Sequence, residues 1–194
     1  MKKLFIIFLL IASVNTLSAQ NDTIEIKGAL GLTFGMSKLQ VQNILTKKGG
    51  IIDKAHSKQN VIVYDKVKFG VRATDFLLLK FVNNKLYEIT AEFSCIKPKT
   101  QELFDLIKSD IETKYQTGAC YRDFKSPYTD GDGYEITAIQ GGYASITCYW
   151  SSTKKDAIIA LEINESLSVV LTYQDNKLID EKEKTVEKIN NADF

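Results

Sequence analysis

The sequence predicts an α+β protein built from two units, each a helix followed by an antiparallel sheet, with a short C-terminal helix. Three observations lead to this prediction. Two segments show helical periodicity, one beginning after Ser37 and one running from about Pro98 to Thr117. Each is followed by short segments rich in β-branched and aromatic residues, which are separated by turn residues. The charged tail from Leu178 to Asn190 is weakly amphipathic, which is typical of a marginal helix.

The first twenty residues have the three-part layout of a secretory signal peptide. A positive start at Lys2 and Lys3 precedes the apolar run from Leu4 to Val14, and small residues follow up to Ala19. The run is shorter than the roughly 20 apolar residues that a membrane-spanning helix needs. We therefore predict cleavage after Ala19 and an exported protein, periplasmic or secreted, with no stable membrane span. An N-terminal membrane anchor is the alternative.

These signals divide the chain into a signal peptide at residues 1–19, a first helix-plus-sheet unit at residues 20–96, and a second unit with the C-terminal helix at residues 97–194. An internal echo favours two related units, since residues 77–86 read LLLKFVNNKL and residues 169–178 read VVLTYQDNKL. The two units either lie side by side or share one sheet. A chance match of common strand and turn residues is the alternative explanation of the echo.

The first helix carries the most consistent local signals. Ser37 is its N-cap, Gln40 completes a capping box, and Met36 with Val41 forms a hydrophobic staple. Glycine at position 49 ends the helix. In the first unit, strands are predicted at residues 23–27, 61–64, 67–69, 76–82 and 86–93.

The second helix buries one face, because Leu103, Ile107, Ile111 and Tyr115 recur four residues apart. The strands that follow it are predicted from the same β-branched and aromatic enrichment. They are placed at residues 119–124, 134–139, 143–150, 157–163 and 167–173.

The segment Phe34-Gly35-Met36-Ser37, followed by Val41 and Leu45, resembles the opening of small exported bacterial proteins in which such a cap precedes a helix and a meander. Outer-membrane assembly lipoproteins of the SmpA/OmlA type are similar in layout. So are proteins of the β-lactamase inhibitor protein-like fold, with tandem helix–sheet repeats. The resemblance implies a non-catalytic, protein-binding module and assigns no functional residue. The chain lacks the lipid-bearing cysteine of the assembly lipoproteins at the predicted cleavage point.

Charge argues against a nucleic-acid partner. The full chain has a formal net charge of +1, which removal of Lys2 and Lys3 would change to −1. A near-neutral chain with interspersed signs lacks the basic surface that binding to a phosphate backbone requires.

The three cysteines allow at most one internal disulfide. A predicted helix of about 20 residues, roughly 30 Å long, separates Cys95 from Cys120 and argues against that pair, because bridged Cα atoms lie within about 7 Å. A bond from Cys148 to either of the others stays open, as does a chain with three buried thiols.

Catalytic signatures are scarce in this sequence. It contains no GxSxG, HExxH, P-loop or GxGxxG motif, and no cofactor is predicted. The only histidine, His56, lies in a polar stretch that we interpret as a solvated loop between strands. A small periplasmic hydrolase that uses acidic residues and this histidine is the enzymatic alternative.

An acidic loop offers a weak candidate for calcium. Asp130, Asp132 and Glu135 could supply hard oxygen ligands. The loop lies between predicted strands, however, where Asp-Gly is ordinary turn chemistry. We therefore predict no metal site and regard the turn as the better interpretation.

A cluster of aromatic residues marks the region from Tyr121 to Trp150. In the strand from Tyr143 to Trp150, alternation places Ile146, Cys148 and Trp150 on a core face, and Tyr143 and Tyr149 on the opposite face. Tyrosine combines a large apolar area with a polar tip and is favoured at interfaces. The candidate binding surface consists of Tyr121, Tyr128, Tyr143 and Tyr149; a polar sheet face with ordinary cross-strand tyrosines is the alternative.

The sequence thus favours an exported, non-enzymatic binding or protein-interaction module of the bacterial envelope, with another envelope protein or a glycan as partner. A structural envelope protein, which only packs against others, is the third function class. A deep cleft with titratable groups would favour the enzyme, and a shallow sheet surface would favour binding.

Overall fold

The computed structural model describes residues 23–192, with side chains described to residue 184. The predicted signal peptide at residues 1–19 lies outside the described residues. The helices are α1 (Lys38–Lys47), α2 (Thr100–Tyr115), α3 (Glu135–Gln140) and α4 (Asn176–Ala192), with a 3₁₀ turn at Lys97–Lys99 before α2. The strands are β1 (Ile51–Lys58), β2 (Val61–Asp65), β3 (Lys68–Phe69), β4 (Arg72–Ala73), β5 (Phe76–Val82), β6 (Lys85–Phe93), β7 (Ala119–Phe124), β8 (Ala144–Ser151), β9 (Ala157–Ile163) and β10 (Val169–Asp175).

One eight-stranded antiparallel sheet dominates the fold, with the strand order β1-β2-β5-β6-β10-β9-β8-β7. The first helix and its strands form one half of this sheet, and the second helix and its strands form the other. The two halves meet where β6 pairs with β10, in a register that runs from Phe93↔Val169 to Glu88↔Gln174. The α+β class and the C-terminal helix are confirmed, and the two halves share one sheet.

The sequence echo does not mark equivalent strands. Its first copy covers β5 and the turn into β6, so Asn84 lies in a hairpin turn. Its second copy covers β10, and the matching Asn176 begins α4. The shared Asn-Lys-Leu therefore occupies two different structural positions, as expected of common turn and cap residues.

The core lies between the helices and one face of the sheet. From α1, Val41 and Leu45 are fully buried, and from α2, Phe104, Ile107 and Ile111 are buried. The capping box of α1 is present, because the backbone N–H of Ser37 donates to Gln40 Oε1 at 2.8 Å. Facing these helices are apolar residues from the central strands, including Leu77, Leu79, Ile89, Ala91, Ile159, Leu161, Val169 and Leu171.

Helix α3 corrects one predicted strand. Residues 134–139 were expected to alternate as a strand, but Glu135–Gln140 is helical. Ile136 and Ile139 both pack against the core. Residues three apart lie on one face of a helix but on opposite faces of a strand, so the helix is the conformation that buries both.

Two further predictions at the edges of the sheet are wrong. Residues 23–27 form no strand; Ile24 exchanges hydrogen bonds with Thr153, and Lys27 O accepts from the backbone N–H of Phe34 at 2.9 Å. The stretch containing His56 was interpreted as a loop, but it is the edge strand β1. Most of β1 is exposed on both faces, so its sequence lacks the apolar alternation that reveals a strand.

A disulfide joins Cys120 on β7 to Cys148 on β8, at directly opposed positions of the ladder. This is one of the two pairings that the sequence left open. Cys95 is a free thiol whose Sγ lies 3.7 Å from Thr100 Oγ1. The bond ties the edge strand β7 to the rest of the sheet.

Candidate functional site

The face of the sheet opposite α1 and α2, which we call the open face, carries partly or largely exposed side chains on β6, β10, β9, β8 and β7, whereas Val63 of β2 is buried there. Residues alternate along every strand between the two faces. In β8, Ile146, Cys148 and Trp150 are buried on the core face, as predicted, whereas Thr147 and Tyr149 are partly or largely exposed on the open face. Eight strands at a spacing of about 4.8 Å make this face roughly 34 Å wide.

Two of the predicted tyrosines form a pair at one end of the open face. Tyr121 on β7 is 61% exposed and Tyr149 on β8 is 39% exposed. Their ring centroids lie 6.1 Å apart at an interplanar angle of 58°. Beside them runs an open groove of about 580 Å³, which Ile24, Thr117 and Ile158 also line. The two rings therefore present a joint apolar surface with hydroxyl tips at a concave site.

The centre of the open face is made of small side chains. The register aligns Tyr149 with Ala160, then with Thr172 and Thr90, and finally with Leu78 in one row across five strands. Thr90 Oγ1 and Thr172 Oγ1 lie 3.3 Å apart across the seam of the two halves. Because threonine and alanine project little, the tyrosine pair rises above a shallow and nearly flat floor.

The next row on the open face carries acidic charge. It runs from Tyr121 through Thr147 to Glu162, Val170 and Glu92. Neither Glu162 nor Glu92 has an ion-pair partner among the residues that the structure describes. The charge balance of this row is therefore negative.

The row of the open face that follows the row of Thr90 contains an ion pair. There Glu88 accepts from Lys80 Nζ at 2.8 Å. This glutamate is compensated, so the uncompensated charge of the open face lies on the same side as Tyr121.

The other two predicted tyrosines form a separate pair. Tyr128 and Tyr143 have ring centroids 5.6 Å apart. Tyr143 directly precedes β8, and its backbone N–H donates to Ala138 O at 2.8 Å, which fixes it against α3. Six strand residues, or about 20 Å, separate Tyr143 from Tyr149. The four tyrosines are therefore two pairs at opposite ends of β8 rather than one surface.

His56 does not form part of a cleft. Its side chain is 76% exposed on the edge strand β1, and its Nδ1 contacts the Asp53 carboxylate. The hydrogen bond from His56 lowers the pKa of Asp53 from its usual value. Asp53 also accepts backbone N–H groups of Ala55 and His56, so the pair holds a bulge of the strand in place.

The acidic loop does not gather its carboxylates at one point. The carboxylate of Asp130 accepts from Arg122 Nε, at 2.9 and 3.0 Å, and its Oδ1 lies 2.7 Å from Arg122 Nη2. Asp132 accepts backbone N–H groups of Thr129 and Tyr134, and Glu135 accepts from Gly131. Within residues 23–184, no three His, Cys, Asp or Glu side chains are arranged to hold a metal ion. The loop is a hydrogen-bonded turn, and the calcium candidate has no geometry to support it.

The ion pair of this loop makes stability depend on pH. The hydrogen bond from Arg122 holds the pKa of Asp130 below its usual value of 3.8. A carboxyl with a lowered pKa stabilises the folded protein above the unfolded pKa and loses this contribution as the pH falls through the folded pKa. We therefore expect Asp130→Asn to lower the Tm at pH 7 and the difference from wild type to shrink as the pH falls below 3.8.

Thermal melts from pH 7 to pH 2 measure this effect. The control is Asp180→Asn, since Asp180 is exposed and has no partner in the described part of the chain. A Tm difference for Asp130→Asn that stays the same at every pH would contradict the role of the ion pair.

Comparison with protein-family models, with curated proteins and with solved structures found no match to this chain. Among residues 23–192, no helix is both long enough and apolar enough to span a bilayer. The function has therefore to be inferred from the two tyrosine pairs, the open face and the cavities themselves.

Proposed function

We propose that this chain is an exported, non-enzymatic protein-interaction module of the bacterial envelope, and that it binds its partner through the open face at Tyr121 and Tyr149. The observation that carries the proposal is the exposed tyrosine pair beside a wide sheet surface of small side chains. Tyrosine is enriched at protein interfaces because it offers a large contact area at low entropic cost.

The shape of the surface favours a protein over a small molecule. Stable interfaces bury about 800 Å² on each partner. A face roughly 34 Å wide, with several rows of accessible residues, offers a contact area of that order. The uncompensated Glu162 and Glu92, which lie two and four strands from Tyr121 in the same row, favour a partner that presents basic side chains along that row.

Export is supported by the signal-like N-terminus and by the disulfide. Disulfides form and persist outside the cytoplasm, in the periplasm or in secreted proteins. The Cys120–Cys148 bond fits that environment. The layout also resembles that of the exported helix-and-meander proteins noted above, which supports a binding role.

The hydrolase alternative has weaker support. A catalytic base acts in a site that positions the substrate and excludes water. His56 and Asp53 lie on the exposed edge strand, and neither lines one of the three cavities described for this chain.

Capture from envelope extracts tests the proposal. Wild-type protein is compared with Tyr121→Ala/Tyr149→Ala and with the matched control Tyr128→Ala/Tyr143→Ala, which removes the second pair. We expect a protein that binds wild type and the control but binds the first variant at least about tenfold more weakly, since interface tyrosines are common hot spots. Binding should also weaken with added salt, because Glu162 and Glu92 lie in the same row of the open face as Tyr121.

Each result decides the proposal. Partners captured equally by all three proteins would overturn it, as would a loss of binding in the control alone. Co-sedimentation with purified cell-wall glycan, abolished by Tyr121→Ala/Tyr149→Ala, would replace the protein partner by a glycan. Melting curves establish that both variants are folded.

A further inference from the structure

A cavity of about 410 Å³ lies on the helical side of the sheet, where the two halves meet. Its floor comes from β6 and β10, through Phe93, Leu171 and Tyr173. Helix α2 forms one wall, and residues 28–30 with the hairpin of β3 and β4 form the other. Small-molecule sites commonly have volumes of about 300–1,000 Å³ and lie between structural units.

The lining of this central cavity is aromatic. The ring of Phe69, carried by the hairpin, stacks on Tyr173 with centroids 6.0 Å apart and an interplanar angle of 26°. It meets Phe93 edge-on, at 6.1 Å and 78°. Tyr115 adds a fourth ring from α2. Such a lining favours the apolar body of a ligand, whether a ring or a short acyl chain.

Two tyrosines in this lining are buried as residues, and their hydroxyls have no protein partner in the described residues. Tyr115 and Tyr173 are 4% and 5% exposed, and neither hydroxyl has a hydrogen-bond partner within residues 23–184. Neither is sealed from the cavity, because the only fully enclosed and unpartnered hydroxyl in the described residues belongs to Tyr64. Burial, with a smaller effect of Tyr115, raises the pKa of Tyr173, so its phenol stays a neutral donor. These two hydroxyls are therefore free to donate to an acceptor on a ligand in the cavity.

The rim of the cavity carries excess positive charge. Arg72 pairs with Asp110 and so links the hairpin to α2 across the opening. Lys114 lies one helical turn further, with its Nζ 4.8 Å from the ring centroid of Tyr115 and no carboxylate partner in the described residues. The ion pair with Asp110 uses one guanidinium nitrogen of Arg72. The other guanidinium N–H groups of Arg72 stay available to an acceptor.

We propose that the central cavity binds a small organic carboxylate, with its apolar body among Phe69, Phe93 and Tyr173 and its carboxylate between Lys114 and Arg72. A phenol hydroxyl from Tyr115 or Tyr173 donates to the bound oxygen. The site lies on the face opposite the tyrosine pair of the open face. Tyr115 lines both this cavity and the groove beside the tyrosine pair, so Tyr173 and Lys114, which line only the cavity, are the residues that distinguish the two sites.

Calorimetric titration of the full chain tests this proposal with named probes. Octanoate and 1-naphthoate both carry the required carboxylate. Their relative affinities show whether the cavity prefers an acyl chain or an aromatic ring as the apolar part of the ligand. Octylamine and octanol are the matched cationic and neutral probes. We expect both carboxylates to bind, one more tightly, and the amine and the alcohol to bind at least about tenfold more weakly.

Three variants locate the site. Tyr173→Phe keeps the ring and removes a donor, and Lys114→Gln removes the unpaired charge; each should weaken carboxylate binding about tenfold, as expected for a hydrogen bond to a charged group. Ala29→Leu fills the cavity from its wall and should abolish binding. Tyr64→Phe and Lys97→Gln make the same chemical changes outside the cavity and should leave affinity unchanged.

The proposal is overturned if neither carboxylate binds at millimolar concentration. It is also overturned if octanol or octylamine binds as tightly as octanoate, or if Tyr173→Phe and Lys114→Gln bind like wild type. Melting curves identify any variant that does not fold. Tyr173→Phe, which keeps the core volume almost unchanged, preserves the test if Ala29→Leu unfolds. Loss of the envelope partner in Tyr121→Ala/Tyr149→Ala with carboxylate binding intact would show that the two sites are separate.

Discussion

Removal of the Cys120–Cys148 bond is expected to lower the free energy of unfolding by about 3–4 kcal/mol. The bond closes a loop with a sequence separation of 28 residues, and the loss of chain entropy in the unfolded state grows with that length. Since small domains have total stabilities of about 5–15 kcal/mol, this is a large fraction. The double variant Cys120→Ala/Cys148→Ala removes both partner thiols and leaves Cys95 as it is in the wild type, and chemical denaturation under non-reducing conditions measures the change.

The matched control for this prediction is Cys95→Ala. Cys95 is a free thiol, so its loss removes a partly buried side chain and no cross-link. A double variant no less stable than Cys95→Ala would contradict the expected role of the disulfide. Because β7 pairs only with β8, we expect hydrogen exchange in the variant to rise first at β7.

The second large effect concerns the seam between the two halves. Leu171 lies on β10 opposite Ala91 of β6 and Leu161 of β9, and it is almost completely buried. Leu171→Ala should cost about 2–5 kcal/mol, because it removes buried methyl groups and leaves a cavity between tightly packed strands. Urea denaturation should still show one transition, since the halves share a sheet and a core.

Leu39→Ala is the control for this substitution, since it makes the same change at a position that is 66% exposed on α1. It should alter stability by less than about 0.5 kcal/mol. Two separated transitions in Leu171→Ala, or equal costs for the two variants, would mean that the halves do not fold as one cooperative unit.

Local signals in the sequence identified much of this fold because they act over a few residues. The capping box at Ser37 and Gln40 and the apolar run at residues 76–82 mark elements whose neighbours in sequence determine them. The two faces of β8 also follow from alternation alone, which predicts that Tyr149 and Trp150 lie on opposite faces of the sheet. Strand β1 escaped detection because an edge strand exposed on both faces needs no apolar periodicity.

Both sites depend on contacts between residues that are far apart in the sequence, and these contacts follow from strand pairing rather than from local patterns. The β7–β8 register brings Tyr121 and Tyr149 together. Tyr128 and Tyr143 stand before and after α3 in the sequence, and Tyr143 directly precedes the other end of β8, so this pair lies away from the first. The row from Tyr149 to Thr172 and Thr90 depends on which strands are neighbours. The central cavity joins five distant segments, and its lining residues share no local motif; the apolar stripe of α2 was the one signal that pointed towards it.

The position of β10 has a consequence for how the chain reaches its final state. It is the last strand in sequence, yet it lies in the middle of the sheet, between β6 and β9. In a chain that is synthesised from its N-terminus, β6 is therefore complete long before β10 is available. Until then the backbone N–H and C=O groups of β6 that will bond to β10 have no partner strand. A product that stops between Ile163 and Val169 leaves β6 and β9 unpaired on the sides where β10 would lie. The sheet thus closes at β6 and β9 only when the polypeptide up to Asp175 is available.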